Sequence, residues 1–336
     1  MHRAKYFFSL VCAFIFSSIF YSPIIFAQKK HTHFDSISMV RLGPTQKNVL
    51  YERYVIGDGT QSYTATRWIT PFLMNQYETT YELWYEVRDI AEQLGYTFKS
   101  KGEGGSKGKT GAAPTDETRH QPVTLISWYD AIVWCNALSE IHGLTPCYTN
   151  NKKVLKDATD TASCDLAQCN FEADGFRLPT EAEWEFAARK LPNGYMDGGY
   201  VSGQFDKNGN EKYSEDEVAW TPMNSEETHV VGTAGTVFKE SAFPEPGSGN
   251  ANAADIFDMS GNVIEFCWDW FFTRYEDVEP GKRATGLEFG SERVCRGGSW
   301  SPVTMLSAAG DRYSYDPNES YDFMGFRFVQ TVKAEK

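Results

Sequence analysis

Residues 175–189 read GFRLPTEAEWEFAAR, and they carry the most specific local signal in this 336-residue chain. Thr180 and Glu183 stand three positions apart, as in a capping box, where each side chain satisfies a backbone N–H of the first helical turn. Trp184, Ala187 and Ala188 follow at the spacing of one helix face. The segment therefore predicts a short helix with a buried apolar stripe.

The same helix carries three glutamates, Glu181, Glu183 and Glu185, which could suggest acid–base chemistry. Residues two positions apart do not share a face of an α-helix. We therefore predict that the three carboxylates are solvated on the outside of the helix.

Two longer helical patterns lie upstream of this segment. One begins at Thr79-Thr80-Tyr81-Glu82 and continues to about Leu94, and the second covers Ser127 to Ile141, with Gly143 as its stop. Residues 38–42 and 67–76 show the pattern of strands. These segments predict an α+β chain with two main helices.

Two polar segments interrupt these patterns. Residues 99–120 are rich in Gly, Lys, Ser and Thr, which predicts a flexible surface loop, and residues 191–252 form a longer polar segment. Both are interpreted as insertions in one domain covering residues 38–332, because no composition break divides it and no internal repeat is visible. Aromatic residues make up 15% of the chain, which argues against general disorder.

The N-terminus has the features of a secretory signal. A basic start precedes the apolar run from Tyr6 to Phe26, and a cut after Ala27 is plausible. The run is also long enough to remain as an uncleaved anchor, and Cys12 is a candidate for lipid attachment. We predict a signal segment at 1–27, a linker at 28–37, and export to the cell surface or periplasm. Membrane association would then occur only through the N-terminal segment.

The charge of the chain restricts its partners. The formal net charge is −13, and removing residues 1–27 deletes Arg3 and Lys5 but no acid, which lowers it by two further units. A strongly acidic surface repels phosphate backbones, so a nucleic acid is excluded as the partner.

Six cysteines remain after the signal segment. Cys164 and Cys169 could form a disulfide in an exported protein, although their spacing matches neither a redox motif nor a zinc knuckle. Cys135 and Cys267 are equally well explained as buried free thiols. The sequence contains no His-Glu-x-x-His, P-loop or dinucleotide-binding motif, and no catalytic residue is predicted.

Four segments together resemble the family of formylglycine-generating enzymes and sulfatase-modifying factors. They are Tyr77-Glu78-Thr79-Thr80, Pro122 to Asn136, Gly175 to Arg189, and Arg296-Gly297-Gly298-Ser299-Trp300 with Gly325-Phe326-Arg327. The resemblance implies an α+β, C-type-lectin-like fold with two main helices, small twisted antiparallel sheets and many loops. Arg177 and Arg327 are interpreted as scaffold residues, because a guanidinium can make forked bonds that pin loops.

The family's chemistry depends on residues that this chain lacks. Family enzymes oxidise a substrate cysteine with two active-site cysteines and copper, and these cysteines follow the Gly-Gly-Ser-aromatic step. The corresponding residues here run from Ser301 to Ser307 and include no cysteine. We therefore expect no copper and no enzyme activity, with a formylglycine-generating oxidase as the disfavoured alternative.

The resemblance also implies a structural calcium. Carried over position by position, its ligands would be the side chains of Asp258 and Glu265 and the carbonyls of Gly261 and Val263. Hard oxygen ligands from a tight turn suit this ion. The alternative is that Glu265 only pins the loop.

The end of the chain resembles a further group with the same fold, the variable proteins of diversity-generating retroelements, including an exported spirochaetal type. These end in a Gly-Gly-Ser-Trp … Gly-Phe-Arg cassette whose intervening residues are diversified. Here the intervening residues are 301–324, and their Tyr, Ser, Asn and Asp content suits a contact surface. The predicted ligand-binding residues are Ser301, Val303, Leu306, Asp311, Tyr313, Ser314, Tyr315, Asp316, Asn318, Tyr321, Asp322 and Phe323.

From these observations we predict an exported, monomeric, non-catalytic receptor or adhesin that binds a protein or another macromolecule through residues 301–324. Within this stretch, Ala308, Ala309, Arg312 and Pro317 are interpreted as framework residues. A purely structural envelope protein is the other alternative, and it would require the tyrosines of the stretch to be buried.

Overall fold

The computed structural model describes residues 37–46, 49–57, 64–236, 243–275 and 277–332. Residues from Ile37 onward form one compact unit. The predicted signal segment 1–27, with Cys12, and residues 28–36 of the predicted linker lie outside the described ranges. Within these ranges, no helix is both long and apolar enough to cross a membrane.

The longer helices begin where the sequence places a side-chain cap. Thr80, Ser127 and Thr180 each accept a hydrogen bond from a backbone N–H of the first turn, and Ser127 and Thr180 form complete capping boxes with Asp130 and Glu183. The described α-helices are α1 (Tyr81–Gln93), α2 (Trp128–Ile141), α3 (Thr161–Asp165) and α4 (Glu181–Arg189).

The strands are short, and they alternate with irregular segments. In chain order they are β1 (Met39–Leu42), β2 (Glu52–Ile56), β3 (Ala65–Ile69), β4 (Phe72–Asn75), β5 (Glu103–Gly104), β6 (Val123–Thr124), β7 (Tyr148–Asn150), β8 (Lys153–Val154), β9 (Gln168–Cys169), β10 (Phe176–Arg177), β11 (Lys190–Leu191), β12 (Gly194–Tyr195), β13 (Ile264–Trp270), β14 (Arg293–Arg296), β15 (Arg312–Tyr315), β16 (Met324–Gly325) and β17 (Val329–Thr331).

Two four-stranded sheets organise the domain. The first has the order β1-β4-β17-β10 and is antiparallel throughout, so it joins the two ends of the domain. The second has the order β15-β14-β13-β16, with one parallel pair between β13 and β16. Smaller pairings are β2 with β3, β5 with β6, β11 with β12, and β7 with both β8 and β9.

Two predicted segments differ in the structure. Residues 67–76 contain parts of two strands, β3 and β4, because the chain turns at Thr70-Pro71 between them. Residues 99–120, predicted as a flexible loop, contain β5 and pack on α1, where the Trp84 Nε1–H donates to the Lys101 carbonyl at 2.9 Å. The composition of residues 99–120 gives no sign of this contact with α1.

Aromatic side chains fill the space between α1, α2 and the end of the chain. Trp84 and Trp134 stack with ring centroids 6.0 Å apart, and Phe326 meets both edge-on. Trp84, Trp134 and Phe326 are all completely buried. This arrangement explains why α2, which is apolar on most faces, is enclosed over nearly its whole length.

The cysteines of the described chain are free thiols. Cys135 and Cys267 are completely buried, which confirms the interpretation as core thiols. Cys164 and Cys169 are not joined to each other. Instead, Cys169 lies opposite Tyr148 in the β7–β9 pair. Tyr148 directly follows Cys147 in the chain.

The three glutamates of α4 are buried and paired with arginines, which contradicts the prediction that they are solvated. Glu183 receives a forked pair of bonds from Arg177, at 2.7 and 2.8 Å. Glu181 receives a similar pair from Arg312, at 2.5 and 2.8 Å. The local rule failed because α4 is enclosed on every side, so carboxylates on different faces all meet protein.

Glu185 has the largest set of partners in this group. It accepts hydrogen bonds from the Tyr54 hydroxyl at 2.8 Å, the Gly57 N–H at 2.9 Å, Arg189 at 2.6 Å, and Arg296. Burial by itself would lower the pKa of Arg296, but the Glu185 carboxylate raises it, and the net shift of this pKa is upward. The Arg296 guanidinium therefore stays charged in the core.

Burial would raise the pKa of Glu183, but Arg177 and Arg283 hold it at about 2. The pKa of Glu181 is also held below its usual value, since Arg312 and Arg296 outweigh the effect of burial. Glu181 and Glu183 are therefore structural anions that tie the helix to other segments.

We predict that Glu185→Ala lowers the free energy of unfolding by about 3–5 kcal/mol, because it leaves the Arg296 guanidinium buried without its main counter-charge. Urea unfolding followed by tryptophan fluorescence would measure this change. The matched control is Glu279→Ala, which breaks the exposed pair with Lys282 and should cost less than about 1 kcal/mol. Equal losses in the two variants would contradict the role given to the buried pair.

Candidate functional site

A glycine pair, Gly297-Gly298, lies just before the C-terminal stretch, by which we mean residues 301–324. Gly298 has a φ of +66°, and a Cβ atom there would lie 2.5 Å from the Leu306 carbonyl oxygen. Glycine is required at this position, since another residue would be strained and would collide with the loop. The loop from Ser301 to Leu306 therefore folds back tightly over the Gly-Gly step.

Three apolar side chains project from this loop. A short 3-10 helix at Pro302–Thr304 is capped by Ser301, while Thr304 is buried against Ser299. Val303, Met305 and Leu306 are 67%, 55% and 49% exposed. We call these three residues the apolar tip. Its base is held by the Leu306 N–H, which donates to the Tyr313 hydroxyl at 2.8 Å.

The second half of the stretch presents tyrosines from a sheet edge. In β15, Tyr313 and Tyr315 lie opposite Cys295 and Arg293 of β14. Tyr321 stacks on Phe323 with ring centroids 5.0 Å apart and an interplanar angle of 4°, and Tyr315 meets Tyr321 edge-on at 5.8 Å. We call Tyr315, Tyr321 and Phe323 the aromatic cluster.

Backbone bonds attach this half of the stretch to rigid elements. The N–H of Trp128, at the start of α2, donates to the Pro317 carbonyl at 3.1 Å, and the Leu125 N–H donates to the Tyr321 carbonyl at 3.1 Å. The Ile264 N–H of β13 donates to the Phe323 carbonyl at 2.9 Å. The exposed side chains therefore stand on a backbone that helix and sheet hold in place.

An arginine sandwich lies under the same sheet edge. The Arg293 guanidinium is 3.6 Å from the Trp128 ring centroid and 3.3 Å from that of Trp270. Its N–H donates to the Trp268 carbonyl at 2.6 Å. Burial lowers the pKa of Arg293 to about 9. The stacked cation therefore lies in the strand that pairs with Tyr315.

The structure brings most of the predicted ligand-binding residues to one surface, but three are misplaced. Ser301, Asp311 and Phe323 are only 6%, 4% and 7% exposed, so the prediction that they offer contact area is wrong. Ser301 caps the 3-10 helix, and Asp311 accepts the Ala308 N–H at 3.0 Å. Phe323 supports the ring of Tyr321 from below. These polar and aromatic residues shape the loop from within.

The other predicted residues are exposed or half-buried. These are Val303, Leu306, Tyr313, Ser314, Tyr315, Asp316, Asn318, Tyr321 and Asp322. Ala309 and Pro317 are buried, as expected of framework residues. Arg312 is held by Glu181. The sequence analysis missed two residues of this surface, Met305 and Glu319. Met305 is 55% exposed, and Glu319 accepts a hydrogen bond from the Tyr321 hydroxyl at 3.1 Å. Both features become visible only in the folded chain.

A cavity of about 230 Å³ lies beside β13 and β15, lined in part by Trp270, Tyr275 and Arg312. Asp269 and Glu181 form part of its wall, and the Glu181 N–H donates to Asp269 at 2.7 Å. Burial and the neighbouring Glu181 carboxylate raise the pKa of Asp269 to about 7. Asp269 is therefore the acid in this part of the protein that titrates nearest neutrality.

The two acidic side chains predicted to hold calcium have other partners in the structure. Both oxygens of Glu265 accept hydrogen bonds from Arg327, at 2.5 to 2.9 Å, and one also accepts the Trp184 Nε1–H. Asp258 accepts the Gly232 N–H, and burial raises its pKa to about 6. Within the described ranges, no group of three or more acidic, His or Cys side chains is arranged to hold a metal.

The alternative role of Glu265, pinning the loop, therefore fits this geometry directly. Arg327 also donates to the carbonyls of Phe257 and Asp258, at 2.9 and 3.2 Å, so a guanidinium joins the turn to the carboxylate. The predicted ligand set does not fit an ion while Arg327 holds Glu265. Calcium binding stays a prediction.

The C-terminal stretch contains no cysteine that could carry out the thiol chemistry of the family's enzymes. Ser301 to Ser307 offer hydroxyls and one thioether in place of thiols, and a soft thiolate pair is what Cu(I) requires. The cysteines nearest in sequence, Cys267 and Cys295, are completely buried, and burial raises the pKa of both well above the usual value.

The small sheets, the capped helices and the loop-built surface define a C-type-lectin-like fold of the formylglycine-generating-enzyme type. Residues 26–332 match the family model described as the sulfatase-modifying factor enzyme 1-like domain. The chain therefore belongs to this family.

Three relatives show the range of the family. The chaperone protein LppX of Paenibacillus barcinonensis is 30% identical over 272 residues, covering 78% of this chain and 81% of that protein. The formylglycine-generating enzyme of Streptomyces coelicolor is 32% identical over 158 residues, covering 46% of each chain. The solved structure of Treponema denticola variable protein 1 superposes with a TM-score of 0.59 at 28% identity, covering 88% of this chain and 95% of that chain.

We predict that Asp269→Asn makes stability less dependent on pH. The raised pKa means that the folded protein holds a proton on Asp269 that the unfolded chain releases, so this stabilisation is present below about pH 4 and is lost as pH rises through about 7. The asparagine carbonyl can still accept the Glu181 N–H. Melting temperatures measured from pH 4 to 8 should therefore fall less in the variant than in the wild type. An equal fall of the melting temperature in the variant and the wild type would contradict the raised pKa of Asp269.

Proposed function

We propose that this protein is an exported, non-catalytic binding protein that recognises a macromolecular ligand through the exposed side chains of the C-terminal stretch. The observation that carries the proposal is the contrast between a buried frame and an exposed surface within one stretch. Thr304, Asp311 and Phe323 are buried, whereas Val303, Leu306 and Tyr321 are 67%, 49% and 37% exposed.

This contrast separates folding from recognition. Because the buried residues and backbone bonds hold the loop, the exposed side chains can differ in identity without disturbing the core. Tyrosines supply rigid contact area, and Ser, Asn and Asp supply adaptable polar contacts. The likeness to a protein named variable protein 1 supports a diversified binding surface of this kind.

A formylglycine-generating oxidase is the second candidate, and kinship to enzymes of that name favours it. The residues of the stretch favour binding instead, because an oxidase of this family needs thiolates that residues 301–307 do not contain. The tyrosine exposure described above likewise favours a binding protein over a purely structural envelope protein.

We predict that the exposed positions tolerate diversification and the buried ones do not. One surface-displayed library would randomise Val303, Leu306, Tyr315, Asn318 and Tyr321, and a matched library would randomise Ser301, Thr304, Ala309, Asp311 and Phe323. Protease resistance should be retained by most members of the first library and lost by most members of the second. Panning the first library against an unrelated folded protein should yield binders.

The binders must depend on the stretch to support the proposal. Reverting the five selected positions to the wild-type residues should weaken binding by at least about tenfold, which corresponds to about 1.4 kcal/mol. If both libraries lose protease resistance to the same degree, or if reversion leaves binding unchanged, the C-terminal stretch is not a separable binding surface.

We also predict that the purified chain, supplied with Cu(I), oxygen and a thiol reductant that provides the two further electrons, does not convert a cysteine-containing peptide to a formylglycine product. Mass spectrometry would follow the peptide, and the Streptomyces coelicolor enzyme would serve as the positive control. Conversion by multiple turnovers would overturn the non-catalytic assignment.

A further inference from the structure

The aromatic cluster presents ring surface to solvent on one side only. Tyr321 is 37% exposed, while Phe323 beneath it is 7% exposed and Tyr315 is half-buried. The near-parallel stack of Tyr321 on Phe323 fixes the orientation of the outer ring. The cluster therefore offers the face and edge of a fixed phenol to whatever docks on the stretch.

The charged groups around these rings are mainly carboxylates. Asp316, Glu319 and Asp322 belong to the stretch itself, and Asp316 is exposed. Neighbouring elements add the exposed acids Glu292, which accepts the Ser314 hydroxyl at 2.6 Å, and Asp165, which accepts the Tyr129 hydroxyl at 2.7 Å.

Two cations lie near the same residues. Lys99 donates to the Asn318 side chain at the rim of the cluster, where its charge offsets one carboxylate. Arg293 lies opposite Tyr315 in the sheet, but it is 1% exposed and enclosed between Trp128 and Trp270. The carboxylates named above therefore outnumber the cations.

Both features attract the same kind of group. The face of a phenol ring has a negative electrostatic potential that attracts a guanidinium or ammonium ion, and a carboxylate beside the ring adds a charge-assisted hydrogen bond. The chain's net charge of −13 would also speed the approach of a positively charged partner.

We propose that the C-terminal stretch of this chain docks a basic polypeptide segment, with an arginine or lysine side chain of the partner against the Tyr321 ring and between Asp316 and Glu319. This inference rests on the proposed function, because it names the chemistry of the partner for the same surface. The apolar tip would then contact the partner's aliphatic residues outside its basic segment.

The test uses the full chain and a fluorescein-labelled peptide of alternating arginine and serine, with a glutamate–serine peptide of equal length as the probe of opposite charge. Fluorescence anisotropy at low and physiological salt would measure both. We expect the arginine peptide to bind and the glutamate peptide not to bind.

Isosteric amides separate the site from the general acidity of the protein. The site variant is Asp316→Asn, Glu319→Gln and Asp322→Asn, which keeps the acceptors for the Asn318 N–H and the Tyr321 hydroxyl. The control variant is Glu215→Gln, Asp216→Asn and Glu226→Gln, three exposed acids outside the stretch, with the same change of charge.

We expect the site variant to weaken peptide binding by about tenfold or more and the control variant by about twofold or less. Tyr321→Leu should weaken it by about twofold to fivefold, since the cation–π contact is worth about 0.5–1 kcal/mol at an exposed site. Melting temperatures would verify that the three variants are folded.

Two outcomes would overturn the inference. Equal losses in the site and control variants would show that only the overall charge attracts the peptide. A wild-type chain that binds neither peptide, or binds the glutamate peptide, would exclude a basic partner. The proposed function would survive either result if the diversified library still yields binders that depend on the stretch, so the two failures are distinguishable.

Discussion

Buried pairs between glutamates and arginines are the interactions on which the rest of this structure depends. Glu181 and Glu185 share one face of α4 and Glu183 lies on another, and each carboxylate meets an arginine from outside the helix. Breaking such a pair leaves an uncompensated charge in the core, which costs more than the intact pair contributes. The network therefore specifies which segments meet, and a protein with short strands and much irregular backbone obtains a single arrangement.

The same network holds the C-terminal stretch, the proposed binding surface. Arg312 begins β15 and is fixed by Glu181, while Arg296 precedes the Gly-Gly step and donates to the Asp311 carbonyl. Arg327, just beyond the stretch, is fixed by Glu265. Each boundary of the stretch is therefore anchored by a buried charge pair. The exposed side chains between these anchors form the surface for which we propose recognition.

Local signals predicted the elements that depend on local physics. The caps at Thr80, Ser127 and Thr180 begin helices as expected, since a cap and its N–H partner lie within four residues of each other. The strand predicted for residues 67–76 was wrong in detail, because a turn at Thr70-Pro71 divides it. The solvated interpretation of Glu181 was wrong because its arginine partner lies 131 positions away.

Residue types at fixed spacings are enough to identify the family, the helix starts and the location of the surface between Trp300 and Gly325. Which residues of that surface meet solvent follows only from the folded chain. Phe323 and Asp311 are buried and Met305 is exposed. Neither the charge of Asp311 nor the hydrophobicity of Met305 would have predicted this difference in burial. Burial depends on the segments that pack from elsewhere, and these are brought together by pairings between residues far apart in the chain.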